Sequence, residues 1–216
     1  MDIAILGGTG PQGKGLGYRF ALAGHDVRIG SRKADRAASA AEELRPRLPD
    51  PGLLHAGTNA EVVDGADIVL LSVPYEGQVD LLLDIRELLA GQVLISCVNP
   101  LGFDKQGPYA LEVPEGSAAE QAAQALPDTT VVAGFHHLSA PGLLEDGPLH
   151  DESVLVCGDD EDAKATVIEL AAATAARGGV DAGALRNAKQ IEAMTAVLIA
   201  VNKAYKAQSG IAIAGL

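Results

Sequence analysis

The chain has 216 residues, of which 48% are hydrophobic and 21% are charged, and its formal net charge is −13. This length suits one large domain, or one domain with a small appendage. An acidic surface repels nucleic acid and anionic membranes, so we expect neither as a partner. Cys97 and Cys157 each end an apolar run and are expected to be buried free thiols. No signal-peptide pattern opens the sequence, and no apolar run reaches the roughly 18 residues of a membrane span, which favours a cytoplasmic protein.

Apolar runs alternate with amphipathic segments along the chain, as in α/β proteins. Most of the runs are near-continuous in Val, Ile and Leu, which is typical of strands buried on both faces of a largely parallel sheet. The predicted strands span residues 2–6, 26–30, 53–57, 67–73, 92–98, 129–135, 153–157 and 179–181.

Helices are predicted between these strands. They span residues 11–23, 33–45, 159–176 and 187–208, with two more that begin at capping boxes, Thr58 with Glu61 and Ser117 with Glu120. Five apolar residues of the last helix share one face: Ile191, Met194, Leu198, Val201 and Tyr205. Such a face suits a core helix, a dimer contact or a lid over a pocket. The connections 99–116 and 136–152 are long, which favours functional loops.

A glycine-rich turn follows the first strand. It contains Gly8-x-Gly10-x-x-Gly13 and lies between a strand and a helix. In dinucleotide-binding folds these glycines serve a tight turn, the approach of the backbone to a pyrophosphate, and close helix–strand packing, while the helix N-terminus attracts phosphate. The alternative is a glycine-rich turn without a ligand. The fold prediction is an α/β, Rossmann-type doubly wound, mostly parallel sheet with helices on both faces and a small C-terminal helical extension.

The second strand ends at Ser31 and Arg32, and Lys33 and Arg36 follow. NAD-binding folds usually carry an acidic residue here, which would repel a 2′-phosphate, whereas a hydroxyl and clustered cations suit one. Residues 14–36 hold six cations and two acids, a local charge of +4. We therefore predict NADP rather than NAD, the alternative being a solvated basic helix start.

The fourth strand ends in Ser72, Val73, Pro74 and Tyr75. In a dinucleotide-binding sheet this strand end lies beside the cofactor, so these residues are predicted to wall the adenine-ribose and nicotinamide side. The alternative is that Pro74 only initiates a helix.

Six stretches occur in an order and spacing that carry a resemblance: ILGGTGPQGKGL, GSRKADR, SVPYE, GFHHLSA, VCGDDEDAK and AMTAVLIAVNKA. Together they resemble the NADPH-dependent reductases of the deazaflavin coenzyme F420, the F420:NADP oxidoreductases, over essentially the whole chain. The resemblance implies an NADP-binding domain at residues 1–183 and a C-terminal helical segment at 184–216 for the substrate pocket and dimer contact. It also implies a homodimer and reversible hydride transfer between NADPH and coenzyme F420.

The resemblance further implies roles by position. The 2′-phosphate is assigned to Thr9, Ser31, Arg32 and Arg36. The pyrophosphate turn is assigned to Gly8, Gly10, Pro11 and Gln12. Pro74 is placed near the nicotinamide, and the deazaflavin pocket is assigned His136, His137, Lys189 and Thr195. This chain has Lys189 where family members often have Arg, and a lysine cannot make a bidentate guanidinium contact.

Hydride transfer needs two stacked rings and excluded water, and little from side chains. The sequence offers no catalytic triad, carboxylate pair or metal-ligand spacing, which agrees with this chemistry. His136 is the candidate catalytic residue, because histidine can manage a proton near neutral pH, and Lys189 or Thr195 would stabilise charge on the pyrimidine side. The alternatives are a histidine that only packs, an NADP-dependent reductase of another small substrate, and a non-enzymatic NADP-binding redox sensor.

Overall fold

The computed structural model of the chain describes residues 1–147 and 149–216; Pro148, in the predicted 136–152 connection, lies outside them. Its strands are β1 (Asp2–Leu6), β2 (Asp26–Ser31), β3 (Leu54–Thr58), β4 (Ile68–Leu71), β5 (Val93–Ser96), β6 (Leu101–Asp104), β7 (Gly107–Ala110), β8 (Thr130–Ala133), β9 (Val154–Gly158) and β10 (Gly179–Asp181). Its α-helices are α1 (Pro11–Leu22), α2 (Ala34–Leu44), α3 (Asn59–Val63), α4 (Gln78–Asp84), α5 (Arg86–Leu89), α6 (Ala118–Ala125), α7 (Ala140–Leu143), α8 (Glu161–Ala171) and α9 (Ala188–Tyr205).

Eight strands form one sheet in the order β10-β9-β8-β5-β4-β1-β2-β3. The pairs from β3 to β8 are all parallel, whereas β8 and β9 pair antiparallel. The parallel part has the order of a dinucleotide-binding fold, whose direction of winding reverses between β1 and β4. Helices cover both faces, each over its own apolar cluster. The predicted fold class is confirmed.

All eight predicted strands occur in this sheet, with ends that differ by at most two residues. The hairpin β6–β7 was missed, because residues 99–116 were predicted as a loop. Its outward residues Phe103 and Tyr109 are exposed, so the segment lacks the regular alternation that marks a half-buried strand. Gly107, with φ +126°, closes the turn. The Asp104 carboxylate accepts hydrogen bonds from the backbone N–H groups of Gln106 and Gly107.

Of the two predicted capping boxes, the one at Thr58 is confirmed. Its hydroxyl accepts from the Glu61 N–H, and the Glu61 carboxylate accepts from the Thr58 N–H. At Ser117 the prediction is half wrong, because the Glu120 carboxylate bonds the Ser117 hydroxyl instead of its backbone. The first two N–H groups of α6 are instead bonded by the Glu192 carboxylate from α9.

The predicted apolar face of α9 is not a core face along most of its length. Ile191 is buried, whereas Met194 and Tyr205 are 43% and 78% exposed. The core-helix alternative is therefore wrong beyond the first turns of α9. The helix also ends three residues before the predicted 208, where Lys206 adopts a left-handed conformation. Within the described residues, no helix is both long and apolar enough to cross a membrane.

Candidate active site

A crevice opens at the carboxyl ends of the strands, where the winding direction reverses. It consists of a larger cavity of about 870 Å³ and a smaller one of about 480 Å³. The two cavities share one wall, formed by Gly10, Ser72, Val73 and Pro74. In open α/β sheets, this is where ligands bind.

The glycine turn approaches its neighbours too closely for side chains. Gly7 has φ +68°, and a Cβ there would lie 2.4 Å from Val73 Cγ1. A Cβ on Gly13 would lie 2.6 Å from the Cα of Gly8. The absence of a side chain at Gly13 therefore lets α1 lie against the turn at Gly8. A Cβ on Gly10 would come within 4 Å of a single atom, the Gly7 carbonyl oxygen at 3.9 Å, and Gly10 lines both cavities. Gly7 has no place in the G-x-G-x-x-G pattern, and its role was missed from the sequence.

The amino end of α1 points into the crevice with its N–H groups available. Its N-cap, Gly10, offers no side-chain hydrogen bond, and the first turn carries no acidic residue. Such an end suits an anion. Pro11 and Gln12 line the smaller cavity, while Gly8 and Gly13 line neither.

The far end of the larger cavity is basic. It is lined by Thr9, Ser31, Arg32, Lys33 and Arg36. Among the residues that the structure describes, these three cations make no ion pair, so their charge is available to a ligand. The end of β2 thus presents cations and a hydroxyl where an acidic residue would exclude a phosphate.

The predicted local charge of +4 overstated what faces this cavity. Lys14 pairs with Glu43 at 2.8 Å, and Arg28 pairs with Asp2 at 3.0 Å. Arg19 is buried and donates to carbonyl oxygens of α7 and the turn after it. The prediction counted all six cations along the sequence, but three of their side chains make contacts away from this cavity.

The smaller cavity is assembled from distant parts of the chain. Beyond the shared wall, it is lined by Cys97, Asn99, His136, His137, Leu138, Ser139, Ala140, Pro141, Thr195, Leu198, Ile199 and Asn202. These come from the end of β5, the segment after β8, α7 and α9. Its walls are mostly apolar. Cys97 and Cys157 are both buried and free, as predicted.

The segment after β8 is held in a strained conformation. Phe135 has φ +65°, which is uncommon for a residue with a side chain. Its carbonyl accepts from Gln12 Nε2 at 3.0 Å, and the carbonyl of His136 accepts from Asn99 Nδ2 at 3.2 Å. Thr195 Oγ1 also lies 3.2 Å from that carbonyl oxygen. These contacts fix the backbone from which the His136 ring extends.

Both ring nitrogens of His136 are buried without a hydrogen-bond partner among the described residues. Burial, and secondarily the charge of neighbouring His137, lowers the pKa of His136 to about 3. The ring is therefore neutral at physiological pH, and presents one donor and one acceptor nitrogen. A buried polar group without partners costs free energy, which a bound ligand can offset.

His137 is engaged with the protein. Its Nε2 accepts from the Leu155 N–H at 3.2 Å, so Nδ1 carries the proton. Burial lowers the pKa of His137 to about 4.

The two predicted residues of α9 lie in different surroundings. Thr195 lines the smaller cavity, whereas Lys189 lies outside both cavities, with its Nζ 3.6 Å from a carboxylate oxygen of Glu112. The structure adds Asn99 as a residue that shapes the cavity beside His136, and it gives Gln12, which was predicted for the pyrophosphate turn, a contact with the Phe135 carbonyl. No local sequence pattern predicted the hydrogen bonds of these two amide side chains, because the carbonyls that accept them lie tens of residues away along the chain. No group of three or more His, Cys, Asp or Glu in the described part of the chain could hold a metal ion.

Comparisons with known proteins relate this chain to one family of reductases. A family model described as NADP oxidoreductase, coenzyme F420-dependent, matches residues 2–100. The F420-dependent NADP reductase of Methanothermobacter marburgensis is 40% identical over 208 residues, which cover 94% of this chain and 92% of the relative. That of Methanocaldococcus jannaschii is 36% identical over 223 residues, covering 100% and 99%. A solved structure from Arthrobacter sp. FB24, provisionally named an F420-dependent NADP reductase, matches with a TM-score of 0.83 and 29% identity over 99% of each chain.

Proposed function

This chain belongs to the coenzyme F420-dependent NADP oxidoreductases, and we propose that it catalyses reversible hydride transfer between NADPH and coenzyme F420. The observation that carries the proposal is the wall that the two cavities share. The two cavities adjoin along Ser72, Val73 and Pro74, so one coenzyme in each cavity would bring its ring against these same residues. The two rings would stack there within the roughly 3–3.5 Å that hydride transfer requires.

The larger cavity fits NADP. The uncapped end of α1 would hold the pyrophosphate, with Gly8 and Gly13 allowing the turn and Gly10, Pro11 and Gln12 near it. Thr9, Ser31, Arg32 and Arg36 would bind the 2′-phosphate, and Pro74 would lie beside the nicotinamide.

The smaller cavity fits a flat heterocycle. NADPH supplies the hydride, and coenzyme F420 accepts it at a carbon of its central ring, which leaves negative charge on the pyrimidine side. In this proposal His136 is the catalytic residue, and it acts as a neutral imidazole whose free N–H stabilises that charge. This replaces the expected proton-managing role, because the ring does not protonate near neutral pH. The mostly apolar walls exclude water from the reacting rings.

His137, Lys189 and Thr195 remain proposed contacts of the second coenzyme. His137 contributes Nδ1–H, since its other nitrogen is committed to Leu155. Lys189 would have to break its ion pair with Glu112 to reach a ligand. Its proposed contact with the coenzyme would therefore lie at the rim of the smaller cavity.

We propose that residues 1–183 form the NADP-binding domain and that 184–216 complete the second pocket and a homodimer contact. The exposed apolar side chains of Met194 and Val197 on α9, and of Phe103 and Tyr109 on the neighbouring hairpin, support a contact between copies. Light scattering of Val197→Glu beside the unaltered protein tests this, and a dimer in both would contradict it. We also propose a cytoplasmic location, which the two free thiols support.

The function is tested by mixing the purified protein with oxidised coenzyme F420 under anaerobic conditions and adding NADPH or NADH. We expect the absorbance of the oxidised deazaflavin to be lost with NADPH at a kcat/KM at least about 100-fold above that with NADH, as the loss of two charge-assisted bonds implies. Binding of NADPH without any bleaching would instead indicate a redox sensor or a reductase of another substrate.

A further inference from the structure

The Thr195 hydroxyl lies between two hydrogen-bond acceptors. Its Oγ1 is 3.1 Å from Asn99 Oδ1 and 3.2 Å from the carbonyl oxygen of His136. A hydroxyl has a single proton, and here it is donated in a hydrogen bond to one of these two protein acceptors. Thr195 lines the smaller cavity, so what it offers a ligand there is the acceptor capacity of its oxygen.

The amide of Asn99 has a fixed orientation. Its Nδ2 lies 3.2 Å from the His136 carbonyl oxygen, and the flipped amide would bring two oxygens together at that point. The carboxamide has two N–H groups, and one is used by this bond. The other has no acceptor among residues 1–147 and 149–216, and Asn99 lines the same cavity. Asn99 therefore supplies a hydrogen-bond donor beside the acceptor of Thr195.

We propose that Asn99 and Thr195 form a donor–acceptor pair that recognises the amide edge of the second coenzyme. The ligand class is a heterocycle with a ring N–H next to a carbonyl, which a deazaflavin carries in its pyrimidine ring. The N–H donates to Thr195 Oγ1, and the carbonyl accepts from Asn99 Nδ2. This inference rests on the proposed function, because it assigns residues for binding coenzyme F420.

The local structure is built for such a pair. A threonine inside a helix commonly turns its hydroxyl to a carbonyl one turn back in the same helix. Thr195 instead reaches across to the segment after β5 and to the segment after β8. These contacts join α9 to the segments that follow β5 and β8, at one point of the cavity wall. The polarity of the pair is thereby set before any ligand binds, which lowers the entropy cost of recognition.

The test measures the dissociation constants of oxidised coenzyme F420 and of NADPH by calorimetry, so that it does not rely on turnover. Thr195→Val and Asn99→Ala are each expected to weaken binding of coenzyme F420 about tenfold, and NADPH binding to change less than about twofold. Thr195→Ser restores the affinity, because it keeps the hydroxyl. Thr166→Val on α8 and Asn187→Ala before α9 are matched controls whose side chains bond elsewhere.

A chemical variant separates recognition from a merely structural role. A 5-deazaflavin methylated on its imide nitrogen has lost the N–H, and the unaltered protein should bind it about tenfold more weakly than the unmethylated compound. In Thr195→Val this difference should shrink below about twofold, and in Asn99→Ala it should persist. Equal discrimination in all three proteins would overturn the pairing.

Failure of the inference can be told apart from failure of the proposed function. If the unaltered protein binds neither coenzyme F420 nor the unmethylated deazaflavin, the proposed function fails and the inference fails with it. If it binds and turns over coenzyme F420 while the Asn99 and Thr195 variants bind as tightly, only the inference is overturned.

Discussion

The two cavities of the crevice are built in different ways. Every residue that lines the larger cavity lies between positions 7 and 81, whereas the smaller is lined by residues from 10 to 202. The larger cavity takes its shape from three short motifs at the ends of β1, β2 and β4. The smaller one exists only where β5, β8, α7 and α9 meet. A site made of contiguous motifs is encoded locally, and a site made of distant segments depends on the whole topology.

The cavities also differ in chemistry. The first offers an uncapped helix end and cations that make no ion pair within the described part of the chain, so charge decides what binds there. The second offers apolar walls and buried histidine nitrogens that have no hydrogen-bond partner among the described residues, so shape and hydrogen bonding decide what binds there. Substitutions that affect one coenzyme and spare the other would sharpen this comparison, and substitutions that affect both equally would break it.

The largest expected effect is on the charged side. Arg32→Ala combined with Arg36→Ala removes two charge-assisted contacts to the 2′-phosphate, each worth about 1.5–3 kcal/mol. We expect NADPH affinity to fall at least about 100-fold and NADH affinity to stay within about twofold. Fluorescence titration with both nucleotides measures this, with the exposed Arg86→Ala as control. Parallel losses for NADH and NADPH would contradict the assignment of the phosphate.

The next effect is on the second cavity. His136→Ala removes the buried imidazole with unpartnered nitrogens, and we expect kcat/KM for coenzyme F420 to fall about 10–100-fold with NADPH binding nearly unchanged. Because the His136 ring is neutral from about pH 5 upward, the fold-loss in kcat/KM caused by His136→Ala should not vary with pH in that range. His55→Ala, on the exposed surface, is the matched control. Unchanged kinetics in both variants would remove His136 from the site.

A smaller effect tests how α1 serves both cavities. A Cβ at Gly15 would lie 2.7 Å from Leu143 Cβ in α7, whereas a Cβ at Gly17 would meet the terminal methyl of Ile29 at 2.8 Å. Gly15→Ala should therefore displace α7, a wall of the second cavity, and weaken coenzyme F420 binding several-fold, at an overpacking cost of about 1–3 kcal/mol. Gly17→Ala should leave that affinity intact. Equal behaviour of the two variants would show that α7 is not a rigid wall.

The last expected effect concerns stability rather than coenzyme affinity, and it appears only as a dependence on pH. Burial raises the pKa of Glu192 to about 7, although the N–H groups of Ala118 and Ala119 oppose the shift. The folded protein thus binds this proton more tightly than the unfolded chain, so stability is greatest below about pH 4.5 and falls as pH rises to about 7. Relative to Glu192→Gln, which does not titrate, the free energy of unfolding should decline by roughly 2–3 kcal/mol over that range.

Urea unfolding of the unaltered protein and of the Glu192→Gln variant at several pH values measures this difference. Titration of His136 and His137 occurs in both proteins and cancels in the comparison. Parallel stability curves would contradict this prediction, because they would mean that the Glu192 carboxyl has the same pKa in the folded and the unfolded protein.

The sequence could predict the first cavity because its signals are local. The Gly8-x-Gly10-x-x-Gly13 pattern and the Ser31-Arg32 pair each lie within a few residues, between a strand and a helix whose own patterns are clear. Arg19 shows the limit, because its charge was counted for the phosphate but its side chain is buried against α7. The spacing of α1 does not reveal which way that side chain points.

The hydrogen bonds that build the second cavity could not be predicted from the sequence, because their partners are distant along the chain. Asn99 bonds to a carbonyl 37 residues away, and Thr195 bonds to Asn99 across 96 residues. Glu192 caps a helix that begins 74 residues earlier. Such partners follow from strand order and from how α9 lies on the sheet, and no local pattern encodes either. Resemblance to a family placed His136 and Thr195 near a ligand, but only the fold shows what holds them.

Direct hydride transfer between two rings that meet at the shared wall is the central claim, and isotope tracing tests it most directly. NADPH deuterated at nicotinamide C4 on one face, and then on the other, is oxidised by coenzyme F420 with the unaltered protein in ordinary water. The account predicts that one of the two labelled isomers delivers its deuterium completely to the reduced deazaflavin. Loss of the label to water, or equal delivery from both faces, would contradict two rings held face to face at Ser72–Pro74.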